Sequence, residues 1–203
     1  GTDVNNNTVS NCYRRGIDGS GADSVIESNH VENTGLYGIS ADSDMVITKN
    51  TIMNNNNGIE TGSNNLISYN RIEGNTYGFF TLGMGCTFVH NYIANNTIGI
   101  PMSYDRNCII SYNNFFGNSN HFSLQYGSEN IITYNNFTSG GSGISLRGCN
   151  YNLIHHNNFI DNAVQASEAE TYLGSGQGAR WALDETTGST AYDSWIGFDG
   201  TIT

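Results

Sequence analysis

The side chains best placed to do chemistry are a set of acids in the first third of the chain: Asp18, Asp23, Asp42, Asp44 and Glu60. Two of them follow the same local pattern, Gly16-Ile17-Asp18 and Gly58-Ile59-Glu60, and the others lie in the adjoining segments. Paired carboxylates are the working groups of glycoside hydrolases, where their separation sets the stereochemical course. The basic residues that a lyase would need, Arg14, Arg15, Lys49, Arg71, Arg106, Arg147 and Arg180, are scattered without a shared spacing. Solvated turn acids of an acidic protein give the same pattern, so the acids are weak catalytic candidates.

What must position these groups is a repeat. Asn followed two positions later by a β-branched or aromatic residue recurs at Asn7, Asn29, Asn50, Asn70, Asn91, Asn113, Asn135 and Asn157, in steps of 22, 21, 20, 21, 22, 22 and 22 residues. An apolar residue stands three positions before each Asn from the second onward, as in Ile26, Phe88 and Ile154. A third anchor, usually Gly then apolar, runs from Gly16-Ile17 to Gly143-Ile144, with His121-Phe122 as the exception. Three apolar anchors per period predict three short strands per coil, and stacked coils bury what one coil cannot. The expected fold is all-β: a right-handed, single-stranded parallel β-helix of about eight coils of 20–22 residues. Asn at the bend tolerates left-handed backbone and can bond the Asn above and below, and Gly is expected to serve a similar bend before the third strand. On this register Asp18 and Glu60 stand two coils apart, roughly 10 Å, just beyond the spacing of an inverting glycosidase.

Composition narrows the partners. With 7 Lys and Arg against 18 Asp and Glu, the net charge of −11 repels phosphate backbones and anionic lipid. No apolar run approaches a membrane span, so neither nucleic acid nor membrane insertion is expected. All 31 Asn residues lie at or before Asn162, whereas Trp181 and Trp195 lie beyond it. Residues 1–166 are therefore the repeat domain, and 167–203 are expected to fold over the last coil as a cap. No cap precedes the first repeat, so the first coil is expected to stack on another molecule or on a preceding part of a longer chain.

The pattern in Asn64-Asn65-Leu66-Ile67-Ser68-Tyr69-Asn70-Arg71-Ile72, followed by Gly78-Phe79, resembles the repeats of the NosD-like and carbohydrate-binding/sugar-hydrolase (CASH) families over about residues 3 to 165. The segment Asn157 to Ala166, then Trp181 and Tyr192 to Trp195, is similar to the end of NosD-like archaeal proteins, with Ala191-Tyr192-Asp193-Ser194-Trp195 where Gly-Asn-Tyr-Trp is usual. The resemblance implies a parallel β-helix and admits pectate lyase-like enzymes, alginate epimerases, a periplasmic copper-delivery protein and surface proteins.

Soft ligands occur at Met84, Cys86 and His90, and a second set at His155-His156. Adjacent strand residues point to opposite faces, so the histidine pair is not expected to chelate, and neither metal nor cofactor is expected. Cys86 and Cys108 each lie five residues before an anchor Asn, which places them in neighbouring coils within disulfide reach. Cys12 and Cys149 lie some six coils apart, and a crosslink from either would join different molecules or distant parts of a longer chain. The position before the anchor Asn reads Tyr69, His90, Tyr112, Tyr134 and His156 in successive coils, and Tyr92 follows one anchor. Facing outward, these make a stripe suited to sugar rings or a partner surface, or one that stabilises the solenoid. The sequence thus points to a non-catalytic extracellular or cell-envelope module, with further copies of itself or a cell-surface polysaccharide as partner. The alternative is a polysaccharide-modifying lyase, hydrolase or epimerase.

Overall fold

A strand of three residues can turn only its central side chain inward, and this chain uses that minimum repeatedly. The computed structural model describes residues 1–81, 83–169 and 180–182. Its first coil consists of strands Asp3–Asn5, Thr8–Ser10 and Arg15–Gly19. Each later coil adds one parallel strand to each of three sheets, which hold nine, eight and eight strands among the described residues. The result is the expected all-β, right-handed parallel solenoid, close to eight coils. The last strands, Val164–Ala169 and Arg180–Ala182, continue the third and first sheets, with Trp181 in register with Ile154. The rest of the expected cap, including Trp195, lies outside the described residues.

Register keeps like beside like. In the first sheet Ile47, Ile67, Phe88, Ile110 and Ile132 pair in one unbroken inward column, all fully buried. In the second, Phe115, Phe137 and Phe159 stack with centroids 4.7 and 5.1 Å apart. Burial of each such side chain contributes roughly 1.5–3 kcal/mol, but apolar contact alone would let a coil slide along its neighbour.

Asparagine prevents that. At the bend between the first and second sheets, the backbone N–H and Nδ2 of each anchor Asn donate to Oδ1 of the Asn one coil on. The chain of bonds runs from Asn7 through Asn29, Asn50, Asn70, Asn91, Asn113 and Asn135 to Asn157, at 2.9–3.0 Å. Nδ2 also donates to a carbonyl of the preceding coil, as from Asn113 to Phe88 at 2.9 Å. The anchor Asn is not itself left-handed, contrary to expectation. That conformation falls on the residue before it, including Ser28 (φ 57°), Tyr69 (φ 55°) and His156 (φ 52°), because the Asn amide is committed to the column. The glycines opening the third-sheet strands are not bends either. Gly78 lies within strand Tyr77–Thr81, and a Cβ there would meet the Gly99 carbonyl oxygen at 2.5 Å, so close approach of the next coil excludes a side chain.

A second column, Thr34, Asn55, Asn75, Asn96 and Asn118, holds the bend between the second and third sheets. The next rung falls on Gly140, whose backbone N–H donates to Asn162 Oδ1 at 3.0 Å but which has no side-chain amide to offer. Here His121 fills the gap: its Nδ1 meets Asn118 Nδ2 at 2.9 Å and its Nε2 meets Asn162 Oδ1 at 3.0 Å. A Cβ on Gly140 would lie 2.2 Å from that Nε2, so the glycine and the histidine are complementary. Burial pushes the His121 pKa down to about 4, against a smaller opposing effect of its Asn162 contact.

Two outcomes are expected. Asn113→Ala leaves the Asn91 donors and the Phe88 carbonyl without their partner and should destabilise by roughly 2–5 kcal/mol in urea unfolding. Asn114→Ala, on the exposed face, should change stability by less than about 0.5 kcal/mol. His121 folds as the neutral imidazole, so it takes up a proton more readily unfolded. Its contribution should be complete above about pH 6.5 and fall away as the pH drops towards 4. Melting midpoints of the parent and His121→Gln across that range check this, and the variant should lose that part of the pH dependence.

Candidate functional site

The outer face of the third sheet brings separated residues into one array, because its strands are long enough to turn two side chains outward. Asp18, Ser40 and Glu60 are in register across three coils, and Arg15, Tyr37 and Asn57 form the next column. Arg15 reaches across them. Its Nη1 donates to Asp18 Oδ2 at 2.8 Å, its Nη2 lies 4.0 Å from Glu60 Oε2, and its guanidinium sits 5.9 Å from the centre of the Tyr37 ring. Ser40 Oγ donates to Glu60 Oε2 at 2.8 Å. Partial burial, then its hydrogen bond to Glu60, raises the Tyr37 phenol above its ordinary pKa.

An open groove runs beside this array, lined by Arg15, Asp18, Ser40 and Glu60 and by Asp42, Ser43 and Asp44 of the following turn. Four of the five sequence candidates therefore line one groove. Asp23 sits at a left-handed corner instead (φ 59°), its N–H donating to the Asp44 carbonyl at 2.8 Å. The sequence reading counted Arg15 only among the scattered bases and did not single out Tyr37 or Ser40. Arg15 and Tyr37 are register partners in adjacent coils, a signal visible only when outward columns are read as well as inward ones.

The aromatic stripe is real and its geometry specific. Tyr69, His90, Tyr112, Tyr134 and His156 stack in turn at 5.0, 5.4, 5.1 and 4.9 Å, with ring planes within 26° of parallel. Ring faces are covered by the next ring, so the stripe presents edges and hydroxyls outward. That supports the solenoid-stabilising half of the expectation. Tyr92 stands apart, in the second sheet, beneath the Arg71 guanidinium at 5.0 Å.

The soft ligands divide. Met84 is exposed, the Cys86 thiol is buried and donates to the Gly62 carbonyl at 3.2 Å, and His90 is held within the outer ring stack. These three do not converge. His155 and His156 do, against expectation: the left-handed backbone at His156 swings its ring back beside its neighbour, bringing the two Nδ1 atoms into contact with centroids 4.8 Å apart. Alternation of faces holds only within a strand, and the strand ends at His155. Among the described residues no three His, Cys, Asp or Glu side chains converge on one point.

None of the four cysteines forms a disulfide. Cys86 and Cys108 occupy adjacent coils, and the closeness of the two thiols draws Cys86 down and, with burial, pushes Cys108 up. Cys149 is buried and donates to the Leu124 carbonyl at 3.2 Å. Cys12 alone is partly exposed and lines a shallow cleft with Tyr13 and Arg14.

Two family models match the chain in succession. A right-handed beta helix region matches residues 1–83, and the periplasmic copper-binding protein (NosD) model matches residues 80–194. The chain belongs to the NosD family. No curated protein matches it. Among solved structures, this NosD-family chain resembles the A-module of Azotobacter vinelandii mannuronan C-5 epimerase AlgE4, with TM-score 0.76 and 17% identity over 87% of this chain and 57% of that one. It also matches XylC, solved in complex with xylose, with TM-score 0.38 and 18% identity over 70% and 22% of the two chains. The chain thus spans just over half of the epimerase module, and what the two share is the fold.

The burial pattern sets the reactivity of the thiols. Iodoacetamide should modify Cys12 alone in the native protein, and Cys86, Cys108 and Cys149 only after unfolding, as counted by intact mass. Rapid alkylation of a second thiol under native conditions would contradict the packing described.

Proposed function

We propose that this NosD-family chain is a non-catalytic carbohydrate-binding module of the cell envelope or extracellular space, with a saccharide lying along the third sheet over the first three coils. The observation that carries the reading is the array of Arg15, Asp18, Tyr37, Ser40 and Glu60 in register beside an open groove. Carboxylates accept from sugar hydroxyls, the guanidinium donates to them, and Tyr37 adds an apolar ring, the mixture that orients polar ligands. Four acids against one arginine in the groove disfavour an anionic chain, so the ligand class is a neutral polysaccharide. Binding fits this array better than hydrolysis because Arg15 contacts both Asp18 and Glu60. The family's periplasmic description supports the location.

A second reading, copper binding, is supported by the family's description and by the convergence of His155 and His156. Imidazole nitrogen suits copper, and the pair, half-buried His155 beside exposed His156, fits such an ion, whereas the divergent Met84, Cys86 and His90 do not.

Affinity electrophoresis against neutral and anionic polysaccharides tests the first reading. The parent should be retarded by a neutral polymer and not by alginate. Arg15→Ala and Glu60→Gln should each weaken binding about tenfold or more, roughly 1.4 kcal/mol, while Tyr112→Ser should leave it unchanged. No retardation by any polymer, or retardation indifferent to Arg15 and Glu60, overturns the reading. New reducing or unsaturated ends would replace it with an enzymatic one.

A further inference from the structure

We propose that Cys86 and Cys108 are an oxidation site, which a small hydroperoxide closes, within the folded solenoid, to a disulfide tying two successive coils together. The proposal is independent of the saccharide and copper readings.

The two cysteines hold one position of adjacent coils. Each stands directly before a first-sheet strand, Thr87–Val89 or Ile109–Ser111, and these strands pair Thr87 with Ile109. The Ile109 N–H donates to the Cys86 carbonyl at 2.9 Å, so register holds at the cysteines themselves. Both side chains are fully buried. In other coils this position carries an amide that accepts from the backbone of the coil before: Asn65 from Met45 at 2.7 Å, Asn130 from Cys108 at 2.9 Å and Asn152 from Asn130 at 3.0 Å. Two thiols interrupt that ladder, and among the four cysteines only these stand one coil apart.

The spacing admits a bond. Strands in register lie about 4.8 Å apart, inside the range of roughly 4.4–6.8 Å between the Cα atoms of disulfides. Parallel side chains keep their Cβ atoms about as far apart as their Cα atoms, so closure draws the Cβ atoms together by a few tenths of an ångström, to about 4.5 Å. The strain this leaves keeps the bond reducible.

A thin wall separates the sulfurs from solvent. Cys86 Sγ donates to the Gly62 carbonyl at 3.2 Å, and Cys108 Sγ lies 3.7 Å from the Gly83 carbonyl. The two glycines touch, since a Cβ on Gly83 would lie 2.2 Å from the Gly62 oxygen, and neither has a side chain to cover a thiol. Gly62 and Thr61 also line the open groove beside Glu60. Hydrogen peroxide, close to water in size, has one layer of backbone to pass, which excludes the larger iodoacetamide.

Cys86 is the sulfur that ionises first. The closeness of the Cys108 thiol, then the Asn65 N–H and the Thr61 hydroxyl, hold it below the usual thiol range against burial and the Asp105 carboxylate; Cys86 and burial push Cys108 up. Thr61 Oγ1 is buried without a hydrogen-bond partner among the described residues, which leaves its hydrogen for a thiolate. The thiolate is the nucleophile. It attacks one peroxide oxygen, the O–O bond breaks, a sulfenic acid forms on Cys86, and the departing hydroxide takes up the proton that Cys86 released. Cys108 Sγ then attacks Cys86 Sγ, the S–O bond breaks, the S–S bond forms, and the second hydroxide takes the Cys108 proton. Two thiols lose two electrons to one peroxide, and two waters leave.

The test treats the folded Cys12→Ser chain, which lacks the partly exposed thiol, with hydrogen peroxide, then unfolds and alkylates it. One alkylated thiol, Cys149, is expected, with the Cys86 and Cys108 peptides linked and lighter by two hydrogens; dithiothreitol should restore all three thiols. Cys149 is the internal control, buried as deeply but with no cysteine one coil away. In a Cys12→Ser/Cys108→Ser chain quenched in denaturant with dimedone, the label should fall on Cys86. Three alkylated thiols after an exposure that fully oxidises Cys12 of the parent overturn the proposal. So does a link to Cys149, or closure that occurs only in urea, which would place the reaction in the unfolded chain. Dimedone on Cys149 in place of Cys86 overturns the assignment of the attacking sulfur.

Discussion

The hydrogen-bonded column of amides from Asn7 to Asn157 locks the phase of each coil to the next. An inward Ile can meet the Ile of a neighbouring coil at more than one offset, whereas an amide that accepts from the Asn of one coil and donates to the Asn of the next has only one. Each Asn also caps a carbonyl of the coil behind it, as Asn135 does for Ile110 at 2.8 Å. Buried polar groups left unmatched are expensive, so the column is self-enforcing. That is why a repeat varying between 20 and 22 residues keeps strict register: the extra residues are absorbed on either side of and within the third-sheet strands, while the segment from the first sheet through the anchor Asn to the second keeps its length.

Once register is strict, every outward position becomes a column too. Chemically similar rings stack at the left-handed corner, and dissimilar polar groups meet on the third sheet. The same device therefore gives the solenoid its Tyr and His ladder and gives Arg15 its two carboxylate neighbours. Where a column is interrupted, the structure compensates locally, as His121 does for Gly140, at the cost of an imidazole that must stay neutral.

The two candidate sites are opposite in character. The groove near the first three coils is acidic and polar and gathers residues from strands 20 or more positions apart, which suits an extended ligand crossing several coils. The histidine pair near the eighth coil is compact and depends on two consecutive residues and one ring beneath them. A single solenoid can carry both because a change in one coil reaches only its immediate neighbours.

The period, the three inward columns and the Asn ladder were legible in the sequence because each is a repeated residue type at a repeated spacing. So was the adjacency of Cys86 and Cys108, which share one coil position. The acids of the groove could be found by the same count, but not the role of Arg15, because Arg15 and Glu60 hold different coil positions and meet only through side-chain reach. The sign of φ was also out of reach. Alternation along a strand sends His155 and His156 to opposite faces, and only the left-handed turn at the corner returns them to the same side. The stacking of Tyr112 on Tyr134 with covered faces, and the filling of the Gly140 gap by His121, depended likewise on how far each ring extends from its backbone. Spacing determined which residues become neighbours; the tertiary structure decided which of their atoms meet.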